Sequence, residues 1–381
     1  MKLKKLLKGI SYTVIQGTAE TEIQELVYDS RKIQAGDLFV CITGFQTDGH
    51  RFISLALEKG AVALLVERKV EHVPSGITVI QTKDNRRALA MAAANFYDHP
   101  TAQMRMIGVT GTNGKTTITY LIRSVLAEIG RKTGVIGTIE NRIGDKAIPA
   151  ERTTPESLGL QALMARMRQE NVTDVVMEVS SHSLDLHRVD GIAYDVAVFT
   201  NLTQDHLDYH KTMEQYQKAK SLLFARSKKS VINLDDAAGP YMMECAAGEV
   251  MTYAIMQHAD LKAEEIAISA NGTAFTLVFQ GTRFPVKLHT PGRFSVYNAL
   301  GAIGACLCLG IPMECILVGL EKNAGVAGRF QVIRSKKGCQ AVVDYAHTPD
   351  GLENVLKTAA EFTKGKLIAV FGCGGDRDKT K

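Results

Sequence analysis

The amino-acid sequence predicts an α/β protein in which helices cover both faces of a parallel β-sheet. Two observations carry this prediction. Short apolar runs rich in β-branched residues alternate with longer segments of helical periodicity, and such alternation implies right-handed crossovers between parallel strands. One strand-to-helix junction also carries a glycine-rich turn, Gly111-Thr112-Asn113-Gly114-Lys115-Thr116-Thr117.

The segments around this turn predict a phosphate-binding loop. Met106–Thr110 has the pattern of a buried strand, and apolar residues at helical spacing follow the turn until Gly130. A helix N-terminus offers unpaired N–H groups and the positive end of a dipole, and glycines let the backbone approach a phosphate. We expect Lys115 to reach the β- and γ-phosphates and the Thr116 hydroxyl to hold Mg²⁺. The spacing between the glycines is shorter than in the usual motif, and the alternative is a plain turn with an exposed lysine.

Composition excludes several classes of protein. The 381 residues suffice for two or three domains, and the 45% apolar and 22% charged content is that of an ordinary globular protein. The net charge of +5 is not concentrated in a basic block, so no nucleic-acid partner is predicted. No apolar run approaches the ~18 residues of a spanning helix, which predicts a cytoplasmic protein without a membrane partner. Seven cysteines without a CxxC pair indicate reduced thiols.

Residues 1–99 predict a small α/β domain. Strands are expected at Leu38–Ile42, Ala61–Val66 and Ile77–Ile80, and a helix at Asp84–Tyr97. The polar loop from Thr43 to His50, together with the Ser30-Arg31 pair, could hold a phosphate or a sugar. A solvated turn is the alternative.

Residues 100–328 predict the domain built on the phosphate loop, and residues 329–381 the start of a third domain. In the second, strand and helix patterns alternate up to Val250, after which Ile266–Ser269 and Ala274–Phe279 predict an antiparallel hairpin through Asn271-Gly272. In the third, strands are expected at Ala341–Tyr345 and Leu367–Phe371, with a helix at Pro349–Phe362 between them. Because two strands and one helix bury too little surface for a core, we expect a chain truncated at its carboxyl end.

Polar residues follow two further strands of the second domain. Glu178 opens the segment Glu178 to His182, and His206 closes the segment Asn201 to His206. Ligands of open parallel sheets collect at the carboxyl ends of strands, so both residues are candidate metal ligands near a triphosphate. Lys220 lies in a helical pattern that does not distinguish it from Lys218.

Seven motifs, in order and covering essentially the whole chain, resemble those of the Mur ligases, and most closely the members that add the third residue of the peptidoglycan stem peptide. The motifs are Gly111 to Thr117, Thr153-Thr154-Pro155-Glu156, Glu178 to His182, Thr200 to His210, Ala219 to Phe224, Gly328-Arg329-Phe330 and Asp344 to Asp350.

The resemblance implies roles for individual residues. ATP would bind at Gly111 to Thr117, and Thr116, Glu178 and His206 would serve two Mg²⁺ ions. Lys220 would be carbamylated by CO₂ and become a carboxylate-like metal ligand, so Lys115, Lys220 and His206 form the catalytic set.

Further residues would bind the nucleotide and the substrates. The implied sets are Asn298, Arg329 and Asp344 for the nucleotide; Ser30, Thr43 and Thr47 for the UDP-sugar; Thr153, Thr154, Ser180 and Arg188 for the peptide end; and Arg377 for the incoming amino acid.

The resemblance also implies the reaction. It is ATP-driven amide formation on UDP-N-acetylmuramoyl-L-alanyl-D-glutamate, with meso-diaminopimelate favoured over L-lysine and small molecules as the only partners of a monomer. Members of the family continue into a loop that chooses the amino acid, and that loop is absent here. The alternatives are a folylpolyglutamate synthase-like ligase, which lacks the first domain, and a nucleotide-binding fragment without catalysis.

Overall fold

A computed structural model of the chain describes residues 1–45, 47–335 and 339–372. Its strands, in chain order, are β1 (Thr13–Gln16), β2 (Leu26–Val27), β3 (Leu38–Val40), β4 (Ala63–Val66), β5 (Thr78–Gln81), β6 (Arg105–Thr110), β7 (Thr133–Ile136), β8 (Glu140–Ile143), β9 (Lys146–Pro149), β10 (Asp174–Glu178), β11 (Tyr194–Phe199), β12 (Ser227–Asn233), β13 (Glu249–Ala254), β14 (Leu261–Ser269), β15 (Gly272–Phe279), β16 (Thr282–Leu288), β17 (Gln331–Arg334) and β18 (Gln340–Val343).

The α-helices of the same described residues cover the sheets and the segments between them. They are α1 (Leu3–Leu6), α2 (Ile53–Glu58), α3 (Asn85–Phe96), α4 (Lys115–Glu128), α5 (Ser157–Gln169), α6 (Ser181–Asp185), α7 (Leu207–His210), α8 (Met213–Ser221), α9 (Gly239–Glu244), α10 (Arg293–Cys308), α11 (Met313–Glu321) and α12 (Pro349–Phe362). Among them, none is both long enough and apolar enough to cross a bilayer.

The first of two compact units comprises Met1–Gln103, Pro155–Gln169 and Ser183–Ile192. Its sheet has the order β1-β5-β4-β3-β2, in which β2 to β5 are parallel and β1 pairs antiparallel with β5. Every residue of β3 and β4 is buried, as expected for parallel strands covered on both faces. The predicted strands and the helix of this region are confirmed within a few residues, and α5 packs against α3.

The second unit comprises Met104–Thr154, Glu170–His182 and Ala193–Lys381, of which the described part contains an eleven-stranded sheet. The sheet has the order β16-β15-β14-β13-β12-β11-β6-β10-β7-β8-β9. Its centre is parallel, as predicted, but both edges are antiparallel, because short turns join β7 to β9 and β14 to β16. The predicted hairpin is therefore confirmed as part of a three-stranded meander.

The core of the second unit lies between the sheet and the helices α4, α10 and α11. Ile107 and Val109 of β6 contact a cluster that includes Ile118, Ile122 and Val125 of α4. These residues recur at helical spacing, so one face of α4 is buried while its first turn stays at the edge of the sheet. The core thus fixes the point at which the phosphate loop leaves β6.

The last described segment contains the antiparallel pair β17–β18 and the helix α12. The predicted helix is confirmed with the same bounds. The predicted strand at Leu367–Phe371 is wrong: among the described residues no strand pairs with this segment, and Val370 is 95% exposed. An apolar β-branched run forms a strand only when a neighbouring strand accepts its backbone hydrogen bonds.

Candidate active site

Three neighbouring parallel strands, β10, β6 and β11, bring the predicted polar segments to one edge of the sheet. Glu178, the last residue of β10, pairs with Val109 of β6, and Phe199 of β11 pairs with Thr110. The segments that follow the three strands therefore emerge side by side, as sequence reasoning expected.

A cavity of about 490 Å³ opens at this edge within the second unit. Its lining contains most of the predicted nucleotide, metal and peptide residues: Gly111 to Thr117, Thr153, Glu178, Ser180, His206, Lys220, Asn298, Arg329 and Asp344. Thr154 lies beside the cavity, where its hydroxyl donates to the carbonyl oxygen of Glu178 at 2.8 Å. Ser30, Thr43, Thr47 and Arg188 belong to the first unit, and Arg377 lies outside the described residues.

The two loop glycines are required by close contacts as well as by backbone conformation. Gly111 has φ +147° and Gly114 has φ +86°. A Cβ atom at Gly111 would lie 1.8 Å from the Thr200 hydroxyl oxygen, and one at Gly114 would lie 2.4 Å from Oδ1 of Asn298. Neither position accepts a side chain without displacing its neighbour.

Lys115 is the first residue of α4, and its side chain folds back onto the phosphate loop. Its Nζ donates to the carbonyl oxygens of Gly111 and Thr112, each at 2.8 Å. Burial lowers the pKa of the Lys115 ammonium below its ordinary value of 10.5. The Thr116 hydroxyl accepts a hydrogen bond from Nη2 of Arg329 at 2.9 Å, which attaches the last segment of the chain to the loop.

Glu178 is buried and held in one orientation. Its Oε1 accepts from the backbone N–H of Thr138 at 2.9 Å, and its Oε2 accepts from the Thr138 hydroxyl at 3.0 Å. The same hydroxyl lies 3.0 Å from that of Thr153. Thr138 thus couples a predicted metal ligand to a predicted peptide residue, and a Cβ atom at Gly137 would lie 2.4 Å from Oε1 of Glu178.

His206 occupies the left-handed backbone region, with φ +55°. Such a conformation is rare for a residue with a side chain and concentrates at functional sites. Burial lowers the pKa of the His206 imidazole to about 3, so the ring is neutral near pH 7, the form that binds metal ions. Its Nε2 lies 3.5 Å from Oδ2 of Asp205.

The carboxylate oxygens of Glu178 suit a hard divalent cation, whereas the neutral His206 nitrogen is a softer donor that such a cation accepts beside oxygen ligands. Within residues 1–45, 47–335 and 339–372, no group of three or more His, Cys, Asp or Glu side chains is placed to hold a metal ion. A full coordination shell would accordingly need hydroxyl, phosphate or water oxygens as well.

The structure separates the two lysines that the sequence pattern could not. Lys218 is exposed, whereas Lys220 is 1% exposed. The Nζ of Lys220 donates to the Gly111 carbonyl oxygen at 2.9 Å and lies 4.4 Å from the centre of the Tyr216 ring. Burial, with a smaller contribution from Lys115, lowers its pKa well below 10.5.

The far end of the cavity contains residues that sequence reasoning missed. Asp235 accepts hydrogen bonds from the backbone N–H groups of residues 255, 256 and 257 and from the Tyr297 hydroxyl at 2.8 Å. Tyr297 precedes the buried Asn298 on α10. Asp344 accepts from the backbone N–H of Phe330 at 2.6 Å, and burial raises its pKa above the ordinary value of 3.8.

The predicted sugar-binding residues lie at the carboxyl ends of β2 and β3 in the first unit. Ser30 begins the short 3-10 helix Ser30–Lys32, and its carbonyl oxygen accepts from Lys59. The Thr43 hydroxyl donates to the Glu67 carboxylate at 2.6 Å, and the Thr47 carbonyl accepts from the N–H of Gly44 at 3.0 Å.

Arg188, predicted to bind the peptide end, forms an ion pair with Glu156 at 2.9 Å. Both residues are in the first unit. They are far apart in the sequence, so no local pattern predicts their contact.

The fold and the cavity define a phosphate-loop nucleotide-binding protein. Family descriptions match the chain in three places: the Mur ligase middle domain at residues 109–306, the Mur ligase glutamate ligase domain at 328–381 and the Mur ligase catalytic domain at 22–97. The chain belongs to the Mur ligase family.

Curated relatives align along the entire chain. A UDP-N-acetylmuramoyl-L-alanyl-D-glutamate–2,6-diaminopimelate ligase of Clostridium acetobutylicum is 51% identical over 383 residues, covering 100% of this chain and 79% of that protein. The ligase of the same description from Bacillus velezensis is 46% identical over 391 residues, with the same two coverages. A solved structure of such a ligase has 33% identity and a TM-score of 0.83, covering 99% of this chain and 78% of that one.

A more distant likeness concerns the fold alone. MurF ligase from Thermotoga maritima, solved in complex with ADP, has 22% identity and a TM-score of 0.63, covering 90% of this chain and 76% of that one.

Proposed function

We propose that the chain is the ATP-dependent ligase that joins meso-2,6-diaminopimelate to UDP-N-acetylmuramoyl-L-alanyl-D-glutamate in peptidoglycan precursor synthesis. The observation that carries the proposal is one cavity in which a phosphate loop, the buried carboxylate of Glu178 and the buried amine of Lys220 face each other. The identity of about half of all residues with ligases of that description supports the choice of substrates.

The reaction has two steps. An oxygen of the substrate carboxylate attacks the γ-phosphorus, the bond from that phosphorus to the ADP oxygen breaks, and an acyl phosphate forms. The amine of the amino acid then attacks the acyl carbon, phosphate leaves with the bonding electrons, and the nitrogen loses a proton. The protein has to align the groups and neutralise charge, and it needs no covalent nucleophile.

Residues of the second unit supply these functions. Lys115 would move its two hydrogen bonds from loop carbonyls to phosphate oxygens. Arg329, which donates to the Thr116 hydroxyl in this structure, would contact the same phosphates. Mg²⁺, held by Thr116, Glu178 and His206, would neutralise the phosphate oxygens when bound. That two ions bind is part of the proposal.

Lys220 is proposed to carry a carbamate. Its ammonium would first lose a proton, and the neutral nitrogen would then form a bond to the carbon of CO₂ and lose a second proton, which replaces a cation by an anion beside the metal. The lowered pKa supports this because it increases the neutral amine. In the described part of the chain, no carboxylate forms an ion pair with Lys220.

The remaining predicted contacts stay proposals. Asn298 and Asp344 would bind adenine and ribose; Ser30, Thr43 and Thr47 the UDP-sugar; Thr153, Thr154, Ser180 and Arg188 the peptide end; and Arg377 the amino acid. The same holds for the three domains at residues 1–99, 100–328 and 329–381, for the monomeric state and for a cytoplasmic location.

The test is phosphate release from ATP in the presence of UDP-N-acetylmuramoyl-L-alanyl-D-glutamate. It compares meso-diaminopimelate, L-lysine and no amino acid, on this chain and on a fusion that continues into the remaining residues of the clostridial relative. We expect turnover that requires the UDP substrate and meso-diaminopimelate together. Silence of the fusion with every combination would contradict the proposal, and a folate substrate would then be assayed.

A further inference from the structure

A tyrosine that the reaction scheme does not use lies directly behind the phosphate loop. Tyr216 is buried on α8, four residues before Lys220. Residues four apart lie on the same face of a helix. This face of α8 therefore presents a phenol and an amine to the loop together.

The two side chains contact adjacent loop residues. The Lys220 amine donates to the carbonyl oxygen of Gly111 at 2.9 Å, and the Tyr216 hydroxyl lies 3.2 Å from the hydroxyl oxygen of Thr112. The Thr112 hydroxyl has one proton, which it donates to the carbonyl oxygen of Thr203 at 3.1 Å. The phenol is thus left as the donor in its bond to Thr112.

The phenol is well suited to this role. Burial raises its pKa above the ordinary value of 10.0, so the phenol keeps its proton near neutral pH. The ring contacts two groups: the Lys220 nitrogen lies 4.4 Å from its centre, and the His210 ring stacks against it with the two ring centres 5.1 Å apart. His210 is itself held by the Ser181 hydroxyl at 2.8 Å.

We propose that Tyr216 is a positioning residue for the phosphate loop, which holds Thr112 so that the loop is pre-formed for nucleotide phosphates. The inference rests on the proposed function only in taking a nucleotide as the ligand of the loop. Tyr216 acts through Thr112 and touches no reacting atom. The hydrogen bond between Tyr216 and Thr112 includes no atom of Lys220.

The experiment measures MgADP binding to the whole chain by titration calorimetry. Tyr216→Phe removes the hydroxyl and keeps the ring contacts with Lys220 and His210. Tyr253→Phe is the matched control, because that phenol is also fully buried in the same unit, donates to the Phe199 carbonyl at 2.9 Å and does not line the cavity.

We expect Tyr216→Phe to raise the Kd for MgADP about fivefold, the factor for one hydrogen bond of ordinary strength. Tyr253→Phe is expected to lower the melting temperature about as much as Tyr216→Phe does, but to leave the Kd for MgADP within twofold. In Tyr216→Phe the KM for ATP should rise while kcat stays nearly unchanged, so the ratio of kcat to KM falls. The reason is that a displaced loop weakens ATP binding more than it alters the chemical step.

A double-mutant cycle identifies the partner. In a Thr112→Val background the bond is already absent, so Tyr216→Phe should raise the Kd by less than twofold there. An unchanged Kd in the single variant, or the same fivefold rise in both backgrounds, would overturn the inference while leaving the proposed function intact. Failure of the wild-type chain to bind MgADP would overturn both.

Discussion

Two loops at the carboxyl ends of parallel strands, one in each unit, carry the predicted ligand-binding residues, and their charges are arranged differently. In the first unit, charged groups near the surface pair with each other: Arg31 contacts Asp29, and Arg68 contacts Asp48. In the second unit, the Lys115 ammonium donates to two backbone carbonyl oxygens of the phosphate loop, those of Gly111 and Thr112.

This difference determines how much free energy each loop gains when a ligand binds. Exposed ion pairs are already solvated, so each contributes little to binding or stability. A partly buried cation that donates to neutral carbonyl oxygens gains much more when an anionic group arrives, because it has already lost part of its hydration on folding. We therefore expect large effects from substitutions in the second unit and small ones in the first.

The largest effect is expected for Lys115→Ala. Loss of this ammonium removes the charge that meets the β- and γ-phosphates, and turnover should fall by roughly a thousandfold or more. Phosphate release under saturating ATP measures it. Lys218→Ala is the control, since that lysine is exposed on α8 and should leave the rate within twofold; near-normal turnover of the Lys115 variant would rule out the phosphate-loop assignment.

Gly137→Ala tests how tightly Glu178 is held. The new methyl carbon would lie 2.4 Å from Oε1 of Glu178, so the carboxylate has to shift. A shift of about 1 Å in this proposed metal ligand should lower kcat between about tenfold and a hundredfold. Gly159→Ala, at a helical glycine with open space around its Cβ position, should retain full activity and melt slightly higher. Equal activity of both variants would show that Glu178 does not need its present position.

A medium effect is expected in the first unit from Thr43→Val, which removes the hydroxyl bonded to Glu67. KM for the UDP substrate should rise about fivefold, and KM for ATP should stay within twofold, because one surface hydrogen bond is lost and the phosphate loop is untouched. Steady-state kinetics with each substrate varied in turn measure the split. A rise in the KM for ATP alone would contradict the assignment of this loop to the UDP-sugar.

The smallest effect is expected from Asp29→Asn. The Arg31 guanidinium holds the pKa of the Asp29 carboxyl at about 2, below its ordinary 3.8. Because the folded pKa is the lower one, the pair stabilises the protein above pH 3.8 and loses that contribution as the pH falls toward about 2. For so exposed a pair the loss in the variant should be below about 1 kcal/mol at pH 7. Urea unfolding at pH 7 and at low pH should show a difference that shrinks with acid; a constant difference would contradict the pairing.

Local pattern was sufficient for the centre of the second unit. The strand β6, the loop and the helix α4 could be predicted because their signals are contiguous: an apolar run, two glycines and a helical stripe. The prediction of a strand at Leu367–Phe371 was wrong because its signal was local whereas strand pairing is not. Pairing depends on a neighbouring strand, which local composition does not reveal.

The candidate site divides in the same way. Glu178 could be found because it ends β10, and His206 because it closes the polar segment that follows β11. Tyr216, Thr138 and Asp235 could not, because each acts through a residue at least 40 positions away or through backbone N–H groups of another segment. The choice between Lys218 and Lys220 depends on burial, which the helical pattern of α8 alone does not determine.

Gly111 has a consequence for protein engineering. Its single carbonyl oxygen accepts hydrogen bonds from Lys115 and from Lys220, two residues 105 positions apart. Any redesign that turns this peptide plane, for instance to admit a different nucleotide, would relocate both amines at the same time. Variants selected for new nucleotide preference should therefore retain Gly111 and carry their changes at the far end of the cavity, around Asp235 and Tyr297.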